Sequence, residues 1–150
     1  MDEMIQKILA NIPNIMVNSS LSESFCEGVL KRLVSFGYML KEKDVWGICF
    51  AMQKVENDIK NSCNTTGIPD GLFNIAIDMV CGEVLFAKKQ TGKLKLDELD
   101  LNGAIASIHE GDVTIQFASG MSDEEKFDSL LNHLLHSGEN NLVCYRRLKW

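Results

Sequence analysis

The chain has 150 residues, a length typical of one domain, of which 45% are hydrophobic and 24% are charged. Its formal net charge of -6 argues against a protein that binds nucleic acid by neutralising phosphates, but not against one that surrounds DNA without gripping it. Five cysteines without a CxxC pair predict reduced, buried thiols and argue against a disulfide scaffold.

The N-terminal third of the sequence predicts two helices. Residues 2–11 predict a short helix that a proline stops soon afterwards. Ser20 and Glu23 have the spacing of a capping box, so a second helix should begin there and continue to about Phe36. Gly37 follows as its expected C-cap.

The middle of the sequence predicts two more helices separated by a turn. Apolar residues recur at helical spacing over about 42–61, opposite a charged face. Residues 61–71, NSCNTTGIPDG, are dense in turn-forming types. Residues 72–87 are almost continuously apolar, which predicts the central helix of a bundle. The interruptions that argue against a membrane span are Asn74, Asp78 and Glu83.

A short strand is predicted in the long loop that follows. Val113, Ile115 and Phe117 alternate with Thr114 and Gln116, which is the two-residue period of a strand. No partner strand lies nearby in sequence, and unpaired strand backbone needs an edge to bind. One such edge could belong to a neighbouring copy of the chain, which makes the three apolar residues candidates for an inter-subunit strand.

The C-terminal part predicts a last helix and a tail. Ser122 and Glu125 form a capping box that begins a helix over about 123–137. The tail, 139–150, is basic and aromatic although the protein is acidic overall. Its tyrosine, tryptophan and arginines are the residue types that are enriched in interface hot spots. A frayed, solubilising end would explain its charges but not its aromatic residues. The candidate partner-binding residues are Tyr145, Arg146, Arg147 and Trp150.

These elements predict one mainly α domain over 1–150: a small bundle of about five helices, one short strand in a long loop, and an extended C-terminal tail. The core is expected over about 20–137 and the docking tail over 139–150. His133 and His136 are three residues apart, but no further ligand joins them at metal-site spacing. His109 lies beside Asp112 without a nucleophile motif. We predict no catalytic residue, metal site or cofactor.

Three stretches in series resemble one protein family. They are NSCNTTGIPDGLFNIAIDMVCGEVL, SIHEGDVTIQFASG and the terminal YRRLKW. Together they are similar to the small head–tail connector proteins of long-tailed double-stranded DNA phages and prophages of low-GC Gram-positive bacteria. The resemblance covers about 60–150; before residue 60 only the helix layout is similar. Ser62 replaces the aromatic residue often found in the family's turn, which puts a packing role at that position in doubt.

The resemblance implies a structural adaptor that is not an enzyme. Such connectors are helical bundles that form a ring, usually of twelve copies, beneath the portal protein in the virion neck. They extend the DNA channel and present a surface to the next neck or stopper protein. The protein would be made in the bacterial host cytoplasm, with no membrane partner and no specific binding of the DNA that passes through. Tyr145 and Trp150 would anchor the tail to the portal or a neighbouring subunit, with Arg146 and Arg147 as ionic partners.

Three other functions stay open at this point. A stopper or tail-completion protein would have a similar architecture in the same phage neck. A small helical DNA-binding packaging or regulatory protein would need salt-dependent duplex binding, which the net charge disfavours. An enzyme would need chemistry at His109 and Asp112.

Overall fold

The computed structural model describes residues 21–101, 103–104 and 122–136, and the single positions Glu3, Gln6, Lys7, Ala10, Asn11, Gly138 and Leu142. In this part the protein is mainly helical, as predicted. The α-helices are α1 (Glu23–Ser35), α2 (Val45–Cys63), α3 (Phe73–Gln90) and α4 (Asp123–His136). Short 3-10 helices lie at Glu42–Asp44, Asp70–Leu72 and Leu96–Glu98. The five described positions before residue 12 are helical, whereas the strand predicted over 113–117 lies outside the described residues.

Both ends of α1 are fixed by local hydrogen bonds. The predicted N-cap at Ser20 is wrong: the cap is Ser22, whose Oγ accepts a hydrogen bond of 3.2 Å from the N–H of Phe25. The later start follows from that bond, because the cap must lie three residues before the donor. Gly37 ends the helix as predicted, with a φ of 87° that favours glycine. The N–H groups of Gly37 and Tyr38 donate to the preceding turn, the pattern of a Schellman motif.

Two predicted boundaries differ from the observed ones. α2 begins after a 3-10 turn and continues to Cys63, whose buried side chain holds the last turn against the core. Asn64 then takes the left-handed conformation, with φ 54° and ψ 47°. α3 continues to Gln90, one turn beyond the predicted end. The Thr91 hydroxyl donates 3.0 Å to the carbonyl of Ala87, which covers part of that terminus.

α3 is the central helix, as predicted, because it packs against each of α1, α2 and α4. Its buried residues include Ala76, Val80 and Leu85. Gly82 brings α4 close: a Cβ there would lie 2.9 Å from Leu135 Cδ2. Asp78 lies one turn earlier on the same side of α3 and is half-buried. It pairs with Arg32 of α1, so this polar residue of the central helix makes an interhelical contact.

The capping box predicted for α4 is confirmed. Ser122 Oγ accepts a hydrogen bond from the N–H of Glu125, and its hydroxyl donates to the Glu125 carboxylate at 3.1 Å. The apolar side of α4 buries Phe127 and Leu130 completely. Burying each such side chain stabilises the fold by about 1.5–3 kcal/mol. Among the described helices, none is both long and apolar enough to span a membrane.

Candidate functional site

The residues predicted to bind partners lie outside the described part of the chain. This applies to Tyr145, Arg146, Arg147 and Trp150 of the tail, and to the candidate strand residues Val113, Ile115 and Phe117. His109 and Asp112 also lie there. The roles of these residues therefore stay predictions.

Two described positions near the C-terminus, Gly138 and Leu142, are held against the helical body. Gly138 is buried and packs so closely on Ile75 of α3 that a Cβ would clash with its Cγ2. The N–H of Leu142 donates 3.1 Å to the carbonyl of Gly138. The Cys63 thiol, at the end of α2, donates 3.4 Å to the carbonyl of Leu142. Leu142 is therefore held beside the C-terminal end of α2.

The two histidines of α4 differ in environment. His136 is exposed, as its position opposite the apolar face predicts. His133 is half-buried beside a pair in which Arg32 Nε lies 3.1 Å from Asp78 Oδ1. Burial lowers the pKa of His133, opposed by the Asp78 carboxylate. Among the described residues, no three His, Cys, Asp or Glu side chains are grouped as a metal site would require.

An apolar groove runs between α2 and α3. Its volume is about 270 Å³, and the small residues that line it, among them Gly47, Ala51 and Ala87, leave this space open. Phe50 forms part of the wall and is 56% exposed. Trp46, 50% exposed, does not line the groove but lies beside it, with its ring 6.2 Å from that of Phe50. We call this surface the α2/α3 groove; exposed apolar surface of this kind is typical of protein contact sites.

The α2/α3 groove is not predicted by the patterns described above, although two residues of the sequence indicate it. The apolar stripe that predicts α2 faces the core. Trp46 and Phe50 lie outside that stripe, at i and i+4 on the side where charged residues are expected. Two large aromatic residues on the exposed side of an amphipathic helix indicate a second contact surface.

A buried ion pair closes one end of the groove. Asp44 is 1% exposed, and its carboxylate lies 2.6 Å from Lys88 Nζ of α3. Its second oxygen accepts 3.0 Å hydrogen bonds from the Tyr38 hydroxyl and from the N–H of Lys41. Burial opposes ionisation, but these donors together lower the pKa of Asp44. Burial and the same hydrogen bond raise the pKa of Tyr38.

A second depression lies on the far side of this pair. It has a volume of about 190 Å³ and shares Asp44 and Lys88 with the groove. Its other cationic residues are Lys41, Lys43 and Lys93. We call it the lysine-lined depression. The groove therefore has a cationic end on a protein that is acidic overall.

The opposite end of the groove carries an exposed pair. Lys54 Nζ lies 2.8 Å from Glu83 Oε1, with 57% of the Lys54 side chain exposed. The hydrogen bond that Lys54 donates to the Glu83 carboxylate raises the pKa of Lys54. Because solvent screens such a pair, it contributes about 0–1 kcal/mol to stability. The groove thus has an apolar middle, a cationic end and a neutral end.

The described cysteines carry no surface chemistry. Cys26, Cys49, Cys63 and Cys81 are free and buried, which confirms the prediction at these four positions. Burial raises the pKa of Cys26 to about 12 and that of Cys49 to about 11.

Comparison with protein-family models, curated proteins and solved structures found no match. The α2/α3 groove, the anchored start of the tail and the sequence motifs are therefore the basis for a function.

Proposed function

We propose that the protein is a structural head–tail connector of a long-tailed phage or prophage. It would assemble as a ring, usually of twelve copies, under the portal protein in the virion neck, extend the DNA channel and join head to tail. It would not be an enzyme and would use no cofactor. The observation that carries the proposal is the order of three motifs over about 60–150, which resembles that family.

The helical body supports this proposal. The family consists of small helical bundles, and the described part of the chain is mainly helical around α3. The finer architecture belongs to the proposal: about five helices, one short strand in the long loop, and an extended tail. The anchor at Leu142 is compatible with a docking tail, because it holds the chain on the helical body eight residues before position 150. From Leu142, eight residues span at most about 29 Å when extended.

Charge also fits a channel protein. The chain carries 21 acidic and 15 basic residues, and three of the basic ones are in the last five positions. Without those three, 21 acidic residues stand against 12 basic ones, so the rest of the chain carries a net negative charge that repels DNA phosphates. A channel wall with that charge lets DNA pass without holding it. We expect no measurable duplex binding at physiological salt, whereas a DNA-binding protein would bind with strong salt dependence.

Removal of the last six residues tests the docking role. Deletion of 145–150 leaves Leu142 and its contacts in place, so we expect the circular dichroism spectrum and the melting temperature to stay within experimental error. Attachment to portal-bearing capsids should be lost, as measured by co-sedimentation. Replacement of the same six residues by a Gly-Ser segment is the matched control, and it should fail equally. Full attachment by the truncated protein would refute the docking role.

The strand provides a second test. We expect purified protein to be monomeric, with ring formation waiting for the portal template. Ile115→Lys should then lower the assembly yield on portal complexes more than it lowers the melting temperature. Equal damage to both would place the strand in the core of the single chain.

Copurification with portal protein, and not with tail-tube protein, separates the connector from a stopper or tail-completion protein.

A further inference from the structure

The α2/α3 groove leaves a contact surface uncovered in the single chain. Phe50 in the groove and Trp46 beside it stay about half exposed. At Gly47 a Cβ would meet nothing within 4 Å, so there is open space above the groove. An exposed aromatic wall with space beside it can accept side chains from another segment.

The pattern of the groove specifies what would fit it. One end is the lysine-lined depression, which suits carboxylates. The middle is apolar and lined by small residues, which suits bulky apolar side chains. The occupant should therefore carry acidic residues next to bulky apolar ones.

One segment of this chain has that pattern. Glu110 and Asp112 immediately precede Val113, Ile115 and Phe117. Gly111 lies between the two acids. The last ten residues, 141–150, contain no acidic residue and three basic ones, so the lysines would repel them.

The dimensions agree as well. From residue 113 to residue 117 a strand rises about 13 Å. The part of α2 along the groove, from residue 44 to residue 54, rises about 15 Å. The groove is open on one side, so water can bind the outward-facing backbone groups of an extended occupant.

We propose that residues 110–117 of a second copy bind in the α2/α3 groove. Val113, Ile115 and Phe117 contact the aromatic wall and the small residues, and the two acids lie against the lysine-lined depression. The choice of a second copy, rather than an unrelated partner, rests on the proposed ring. Each subunit would then offer a groove on one side and a segment on the other, and such a head-to-tail contact closes a ring by rotation.

A peptide experiment tests the groove without requiring a ring. A fluorescent peptide of residues 108–119 is titrated into the full-length protein, and binding is followed by anisotropy. We expect saturable binding that Phe50→Asp weakens at least tenfold. Phe86→Asp is the matched control, because Phe86 is also exposed, at 44%, but does not line the groove. It should change the affinity less than twofold.

Charge reversal tests the polarity of binding. Lys43→Glu with Lys93→Glu should weaken the peptide at least tenfold. A peptide carrying Glu110→Lys and Asp112→Lys should bind this variant at least tenfold better than the native peptide does. No binding of the native peptide to wild-type protein would overturn the proposal, and so would equal effects of Phe50→Asp and Phe86→Asp. Stronger binding of a peptide of residues 141–150 would assign the groove to the tail and overturn it too.

A cross-linking experiment identifies the occupant in the full chain. Chains that carry photoreactive benzoylphenylalanine at position 50 are prepared in ¹⁴N and ¹⁵N forms. The two forms are mixed and assembled on portal complexes. Cross-linked peptides that join position 50 to 110–117 with mixed isotopes support the second copy. Cross-links with a single isotope only would place the chain's own segment in the groove and overturn that choice. If the peptide binds while the chain does not attach to capsids, the groove assignment stands and the connector function fails. If the chain attaches to capsids while the peptide does not bind, the connector function stands and the groove assignment fails.

Discussion

Replacement of Asp44 by alanine should cost more stability than any exposed charge in this structure. The carboxylate is 1% exposed and joins the loop after α1 to α3 through Lys88. Removal of one partner from a buried pair typically costs about 3–5 kcal/mol, because the other charge loses its counter-ion. The Lys88 side chain keeps 18% of its surface, so it can regain some water, which favours the lower part of this range.

Two further donors lose their acceptor in this variant. The Tyr38 hydroxyl and the N–H of Lys41 both donate to Asp44, and each such bond contributes about 1 kcal/mol. Added to about 3 kcal/mol for the pair, these two bonds give an expected loss of about 5 kcal/mol in the free energy of unfolding. For a chain of this length that corresponds to a fall of roughly 10–20 °C in melting temperature. Urea unfolding followed by circular dichroism measures the loss directly.

Lys54→Met is the matched control, because it removes a lysine from an ion pair at the other end of the same groove. That pair is exposed, so its loss should cost about 0–1 kcal/mol. A second comparison, between wild type and Asp44→Asn, tests the charge itself. The pKa of Asp44 is lowered from 3.8, so its stabilisation is complete above that value and is lost as pH falls below it. A loss below 1 kcal/mol for Asp44→Ala, or an advantage over Asp44→Asn that persists at low pH, would refute this reasoning.

Two other predictions concern the core. Gly82→Val should destabilise the protein by about 1–3 kcal/mol, because even a Cβ would press on Leu135, and urea unfolding will measure it; an unchanged midpoint would show that α4 can move away. The buried thiols of Cys26, Cys49 and Cys81 have raised pKa values, so at pH 8 they should react with Ellman's reagent at least 100-fold more slowly in native protein than in urea. Peptide mapping assigns the labelled positions, and equal rates in both states would contradict their burial.

The helices that the sequence predicts best are those whose signals are local. The capping box at Ser122 needs only two residues three positions apart, and Gly37 needs only its own freedom at positive φ. The start of α1 was misassigned because serines occur at both positions 20 and 22, and either can cap a helix. Only the tertiary position of Phe25 in the core selects the later one.

The buried charges could not be predicted because their partners are distant or ambiguous in sequence. Asp44 precedes a helix, where an acid usually caps the first turn in solvent. Its burial depends on Lys88 of α3, which no local pattern connects to it. Glu56 lies 2.9 Å from Lys60 at i and i+4, which is the spacing of a surface pair, yet Glu56 is fully buried. In both cases the helix packing, and not the local sequence, determines the environment of the charge.

The Asp44–Lys88 pair forms the boundary between the groove and the lysine-lined depression. A substitution in this pair should therefore change both the stability of the protein and peptide binding, whereas a substitution elsewhere in the groove should change binding alone. Phe50 is mostly exposed, so Phe50→Asp should change unfolding free energy by no more than about 0.5 kcal/mol while it weakens the peptide. Asp44→Ala should change both, since Lys88 then loses the acceptor that holds it at the junction of the two depressions. A groove that served only packing would show the opposite order, with loss of stability in Phe50→Asp and no binding to lose.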